Sequence, residues 1–184
     1  MRGPKMDEVW WRRPSAYRGL FIGLALLIMF CRLLPLGQTP GGLPGPDLLL
    51  CLILAWMVRR PEFLPLPIIL GVILIEDFLL MRPPGLWTAI VVLATEFLRS
   101  RIALTRELNF PIEWMLISGI MLAMLLGYRL ALAISFVPQP GFGAMLVQTL
   151  WSIGVYPVIV LLSHLMLNLR KPATGEVDKA GNRL

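Results

Sequence analysis

The sequence is short of charge, of histidine and of cysteine, and each shortage excludes something. Charged residues make up 15% of the 184, against roughly 25% in soluble domains. Hydrophobic residues reach 57% and the mean hydropathy is +0.75, so too little polar chain is left to cover a soluble surface. One histidine and two cysteines cannot supply a metal site of ordinary ligand spacing, and no metal or cofactor is expected. There is no glycine-rich phosphate loop, no Ser-His-Asp order and no paired-carboxylate motif. Those absences point away from an enzyme. Cys31 and Cys51 lie in apolar runs and read as small buried thiols, although a disulfide between neighbouring helices stays geometrically open.

Three stretches of the chain hold almost no cations. Six apolar runs span roughly 17–36, 46–58, 63–81, 85–102, 113–136 and 142–169. Of the 17 Lys and Arg residues, 14 fall in four alternate segments between or beside these runs. The N-terminal segment holds Arg2, Lys5, Arg12, Arg13 and Arg18. The next holds Arg59 and Arg60, then come Arg99, Arg101 and Arg106, and finally Arg170, Lys171, Lys179 and Arg183. The intervening turns hold Arg82 alone. Lys and Arg near span ends stay on the cytoplasmic side. The pattern therefore predicts an all-α integral membrane protein, a bundle of about six transmembrane helices with both termini cytoplasmic. Residues 1–16 read as a cytoplasmic arm, 17–171 as the transmembrane domain and 172–184 as a disordered cytoplasmic tail.

The net charge of +6 does not point to nucleic acid, because the bases are spread over four short segments without interleaved aromatics. Topology and anionic lipid account for them. Trp10 and Trp11 beside Arg12 and Arg13 read as an interfacial anchor. A secretory signal is the weaker reading of this end, because the apolar run fills a full span and no small-x-small cleavage pattern follows.

A crossing needs about 20 apolar residues. The second run is short, and it reads as a span whose polar ends are buried by neighbours, since otherwise Arg59 and Arg60 would lie outside. Asp47 stands at its start, where a carboxylate suits the helix dipole. Pro65 and Pro67 suit the first turn of the third helix. Pro83-Pro84-Gly85 makes a tight hairpin. Pro157 is expected to kink the sixth helix, with Gly154 easing close packing there.

Ionisable residues inside spans are costly, about 2.5–3.5 kcal/mol each at mid-depth. Threading the runs puts Arg32, Asp47, Glu76, Asp77, Arg82 and Arg129 in the outer half. Two readings stay open: a polar site opening outward, or a salt-bridge layer that fixes helix order. On the second, Arg129 pairs with Glu76 or Asp77. Neighbouring residues on a helix point about 100° apart, so the other carboxylate reaches Arg32 or the headgroups. Glu96 and His164 form a weaker polar pair toward the cytoplasmic ends of their spans, and Glu96 lies at helical spacing from Arg99.

The stretch from Pro46 to Arg101, PDLLLCLILAWMVRRPEFLPLPIILGVILIEDFLLMRPPGLWTAIVVLATEFLRSR, resembles the rod-shape-determining membrane protein family MreD. The resemblance rests on Pro46 and Asp47 opening a short span that ends in Arg59 and Arg60. Asp77 follows, then Gly85 eight residues later, and Tyr156-Pro157 in the last span. Where the family often has a glycine four residues before the aspartate, this chain has Ile73, with Gly71 nearest. The resemblance implies a non-enzymatic subunit of the bacterial cell-elongation machinery in the inner membrane, similar in fold to the S components of vitamin importers. It implies association with MreC, and through it with a wall-synthase pair (polymerase and transpeptidase) and with MreB. On that reading lateral surfaces carry Gly19 and Gly23, in a GxxxG pattern, or Gly119 and Gly127. Internal packing is the alternative use of these glycines. Two other functions stay open: a small-molecule-binding transporter subunit, and an enzyme on lipid-linked substrates using Asp47, Glu76 or Asp77.

Overall fold

The computed structural model describes residues 14–34, 44–101, 108–139 and 141–167. The N-terminal anchor, Arg106 and the C-terminal tail lie outside them. Among the described residues the structure is all-helical, with six α-helices and one 3-10 turn. They are α1 (Pro14–Leu33), α2 (Leu48–Arg59), α3 (Leu66–Leu79), α4 (Leu86–Ser100), α5 (Phe110–Ile134) and α6 (Phe142–Leu167), with the 3-10 turn Pro61–Phe63 after α2. Each falls within or beside one apolar run. Three of them, α1, α5 and α6, are long and apolar enough to cross a membrane. The other three are shorter; α2, at 12 residues, rises about 18 Å.

Local sequence explains where these helices begin. Asp47 is the N-cap of α2, and its Oδ1 accepts the Leu50 N–H at 3.1 Å, which satisfies one of the orphan donors of the first turn. Pro65 and Pro67 open α3, where a missing N–H costs nothing. Gly85 stands before α4 with φ 85°, a left-handed conformation that costs a residue with a Cβ about 1–2 kcal/mol.

Pro157, expected to kink α6, lies inside the helix, which continues through it. Proline has no N–H to give the carbonyl four residues back, and that carbonyl, on Ile153, takes the indole N–H of Trp114 at 3.0 Å instead. A side chain from α5 thus replaces the lost backbone bond.

The buried centre is α2. Eleven of its 12 residues, Leu49 to Arg59, are buried, and it packs against α1, α4 and α6. A helix apolar all round is what a surrounded helix requires. Phe21 of α1 meets Trp56 with ring centroids 5.6 Å apart. Outward faces are apolar as well: Leu26, Leu27 and Phe30 of α1, Leu126 and Leu130 of α5, and Leu161 of α6 are all exposed. Exposed apolar surface on this scale marks an interface with lipid or protein.

Cys31 and Cys51 are both free thiols. Cys51 is buried as expected, whereas Cys31 is exposed on α1. A Cβ added at Gly19, Gly23, Gly71, Gly119, Gly127 or Gly154 would meet nothing within 4 Å. Among the described residues these glycines therefore mediate no close helix contacts, and Gly19 and Gly23 lie on the exposed side of α1.

Candidate functional site

Helix ends gather two polar networks, one at each end of the bundle. At the Asp47 end, Arg32 from the last turn of α1 donates through Nη1 to Glu76 Oε1 and lies 3.7 Å from Asp47 Oδ1. One guanidinium thereby ties α1 to α2 and α3. Asp47 also donates its own N–H to Ser152 Oγ on α6 at 2.8 Å. Ser152 Oγ donates in turn to the Gln148 carbonyl, and Cys51 Sγ donates to the Ser152 carbonyl at 3.3 Å. The start of α2 is thus fastened to the middle of α6.

Asp77 takes a different neighbour from Glu76, as the 100° between adjacent helical residues requires. Its Oδ2 accepts the Gly85 N–H at 3.1 Å, the Thr88 N–H at 3.2 Å and the Thr88 hydroxyl at 2.8 Å. Gly85 has no side chain to cap α4, and the carboxylate at the end of α3 supplies the cap from across the hairpin. The adjacent Glu76-Asp77 pair therefore has two jobs, one toward α1 and one toward α4.

The expected pairing of Arg129 with Glu76 or Asp77 is absent among the described residues. The Arg129 guanidinium lies over the Phe142 ring, 4.9 Å from the centroid, with Nη1 3.9 Å from Met145 Sδ. The reason is helix order: α3 packs against α1 and α4, whereas α5 packs against α4 and α6. Arg32 is thus the cation placed beside α3. Arg82 stands in the α3–α4 turn with its guanidinium 5.5 Å from the centroid of Trp87, a cation–π contact. Trp87 meets Tyr128 edge-on at 5.3 Å.

Beside this layer a cavity of about 210 Å³ opens between the start of α2, the α3–α4 turn, α5 and α6. Asp47, Arg82, Gln148 and Thr149 give it a polar side. Leu50, Met121 and Leu125 give it an apolar one. The two carboxylates beside it, Glu76 and Asp77, are 2% and 0% exposed and belong to the helix contacts already described.

The second network lies at the opposite end, and sequence reasoning missed it. Arg59 Nη1 donates to Glu113 Oε1 at 2.9 Å and to the Ala55 carbonyl at 3.2 Å. Tyr156 donates its hydroxyl to the same Glu113 oxygen at 3.0 Å. Arg59 and Glu113 are 6% and 1% exposed. The available signal was opposite charge at equal depth: one residue ends a short span and the other begins the fifth. Nearer the surface, Glu96 pairs with Arg99 at 3.3 Å in the expected i,i+3 register, and Arg99 also donates to the Leu64 carbonyl at 2.9 Å. No hydrogen bond or ion pair joins Glu96 to His164 among the described residues.

Chemically, the arrangement binds helix to helix. Among the described residues no three His, Cys, Asp or Glu side chains converge on a point where a metal ion could sit. Ser152, a buried hydroxyl lining the cavity, bridges backbone groups. Comparison of the chain with family models, with curated proteins and with solved structures finds no match.

Proposed function

We propose that the chain is a non-enzymatic scaffold subunit of the bacterial cell-elongation machinery, of the MreD kind, crossing the inner membrane six times with both termini in the cytoplasm. The observation that carries this reading is the use made of the buried carboxylates. Asp47, Glu76, Asp77 and Glu113 each join one helix to another. Polar groups spent in this way rigidify a bundle whose outward faces remain apolar and, on α1, carry exposed Gly19 and Gly23. Contacts between membrane helices depend on small residues and shape rather than on burial from water. Such faces suit the transmembrane helix of a partner such as MreC, with the wall synthase pair and MreB joined through it. The residues behind the family resemblance also have physical roles here. Asp47 caps the central helix, and Gly85, eight residues after Asp77, donates its N–H to that carboxylate.

Affinity capture from gently solubilised membranes tests the proposal. Recovery of MreC with the wall synthase supports it, as does rounding of rod-shaped cells on depletion. Unchanged rods in a viable deletion contradict it. The cavity beside Asp47 favours a second reading, a small-molecule-binding subunit of a transporter similar to vitamin S components. Capture of an ATPase module in place of MreC decides for that one.

A further inference from the structure

The cavity holds two opposite charges whose bonding capacity the fold leaves unspent. Asp47 Oδ1 is taken by the cap of α2 and by the ion pair with Arg32 at 3.7 Å. Its Oδ2 accepts no hydrogen bond among the described residues, and the carboxylate lines the cavity. Arg82 lines it too. Its guanidinium rests over the Trp87 ring at 5.5 Å, and no carboxylate among the described residues forms an ion pair with it. A ring beneath a guanidinium holds the plane in place while leaving its edge donors free. Charged groups left open toward a cavity in a membrane bundle mark a ligand path.

We infer that this cavity is a binding site for a small zwitterion with an apolar body, its ammonium on Asp47, its carboxylate on Arg82 and its hydrocarbon on Leu50, Met121 and Leu125. Charge balance selects the class. Among the described residues Asp47 leaves one carboxylate oxygen, and Arg82 its edge donors, without a partner beside the cavity. A simple anion on Arg82 leaves the second oxygen of Asp47 without a partner. A simple cation on Asp47 leaves Arg82 without a partner. A zwitterion satisfies both and changes the net charge by nothing. Size selects further: 210 Å³ is below the roughly 300–1,000 Å³ of sites for drug-sized ligands, which leaves room for a molecule of amino-acid size. Gln148 and Thr149 on the same wall offer further polar groups to orient the headgroup. The inference stands apart from either reading of function, because a scaffold can carry such a ligand as readily as a transport subunit.

Four probes of six carbons each test it on the full chain in lipid nanodiscs, by calorimetric titration. Norleucine and 6-aminohexanoate carry both charges, with the spacing between them short in one and long in the other. Hexanoate carries only the carboxylate and hexylamine only the ammonium. At least one zwitterion is expected to bind about tenfold tighter than both single-charge probes, a difference of about 1.4 kcal/mol. Arg82→Gln is expected to remove that advantage, and Arg82→Lys to keep part of it. Equal binding of hexanoate or hexylamine overturns the inference, as does unaltered zwitterion affinity in Arg82→Gln. Failure of all four probes to bind overturns it as well. Partner capture is scored separately on the unaltered chain, so the proposed function stands or falls on its own result.

Discussion

Arg59 and Glu113 meet at 2.9 Å, fully enclosed, 54 residues apart in sequence, with the Tyr156 hydroxyl donating to the same carboxylate oxygen. The pair joins the end of the central helix α2 to the first turn of α5. Removing Glu113 leaves Arg59 as a buried lone charge, which costs about 3–5 kcal/mol. Glu113→Leu is therefore expected to destabilise the protein by that order in denaturant unfolding in micelles, and Arg59→Leu to cost less. The double variant is expected to cost much less than the sum, since neither charge is then orphaned. Tyr156→Phe should cost about 1 kcal/mol, one hydrogen bond. Single variants no worse than loss of the exposed pair Arg60–Glu62 would contradict this.

Asp77 is expected to control the start of α4. Asp77→Ala removes three hydrogen bonds to Gly85 and Thr88 and should cost about 1–2 kcal/mol, the range of a lost N-cap. Amide exchange at Gly85 and Thr88 should speed up while α2 amides stay protected. Gly85→Ala meets no neighbour within 4 Å, so its cost, about 1 kcal/mol, comes from the backbone at φ 85° alone. Unchanged exchange in Asp77→Ala would show that the cap does not hold the helix.

Trp114 and Pro157 are expected to be coupled. Trp114→Phe leaves the Ile153 carbonyl without a partner, at a cost of about 1–3 kcal/mol. Pro157→Ala restores a backbone N–H to that carbonyl. The double variant is therefore expected to be more stable than Trp114→Phe alone. Thermal unfolding of the four-member cycle checks it, and strict additivity would contradict it.

Helix positions were legible in the sequence because apolar runs and proline and aspartate caps are local signals. Asp47 at the start of α2, Pro65 and Pro67 at the start of α3 and the Glu96–Arg99 register follow from neighbours in the chain. The pairing of charges was not local. Six ionisable groups within or beside the apolar runs were apparent, but which cation meets Glu76 depends on which helix lies beside α3. Hydropathy carries no information about that order: Arg32 was one of the partners foreseen for these carboxylates and meets Glu76, whereas the expected pairing with Arg129 is absent among the described residues. Arg59 was read only as a topological cation, although it also fastens α2 to α5. Adjacent carboxylates with separate partners, Glu76 and Asp77, became explicable once both neighbouring helices were placed.

The proposed six crossings are tested most directly by labelling cysteines introduced one at a time, Glu62→Cys, Pro84→Cys, Arg101→Cys and Gly141→Cys, in a chain without Cys31 and Cys51. A membrane-impermeant thiol reagent is applied to intact spheroplasts. The positions of Pro84 and Gly141 are predicted to react, and those of Glu62 and Arg101 to react only after the membrane is opened. Reaction of either Glu62→Cys or Arg101→Cys in sealed cells, or protection of Pro84→Cys, would contradict the six-crossing arrangement and with it the outward-facing cavity.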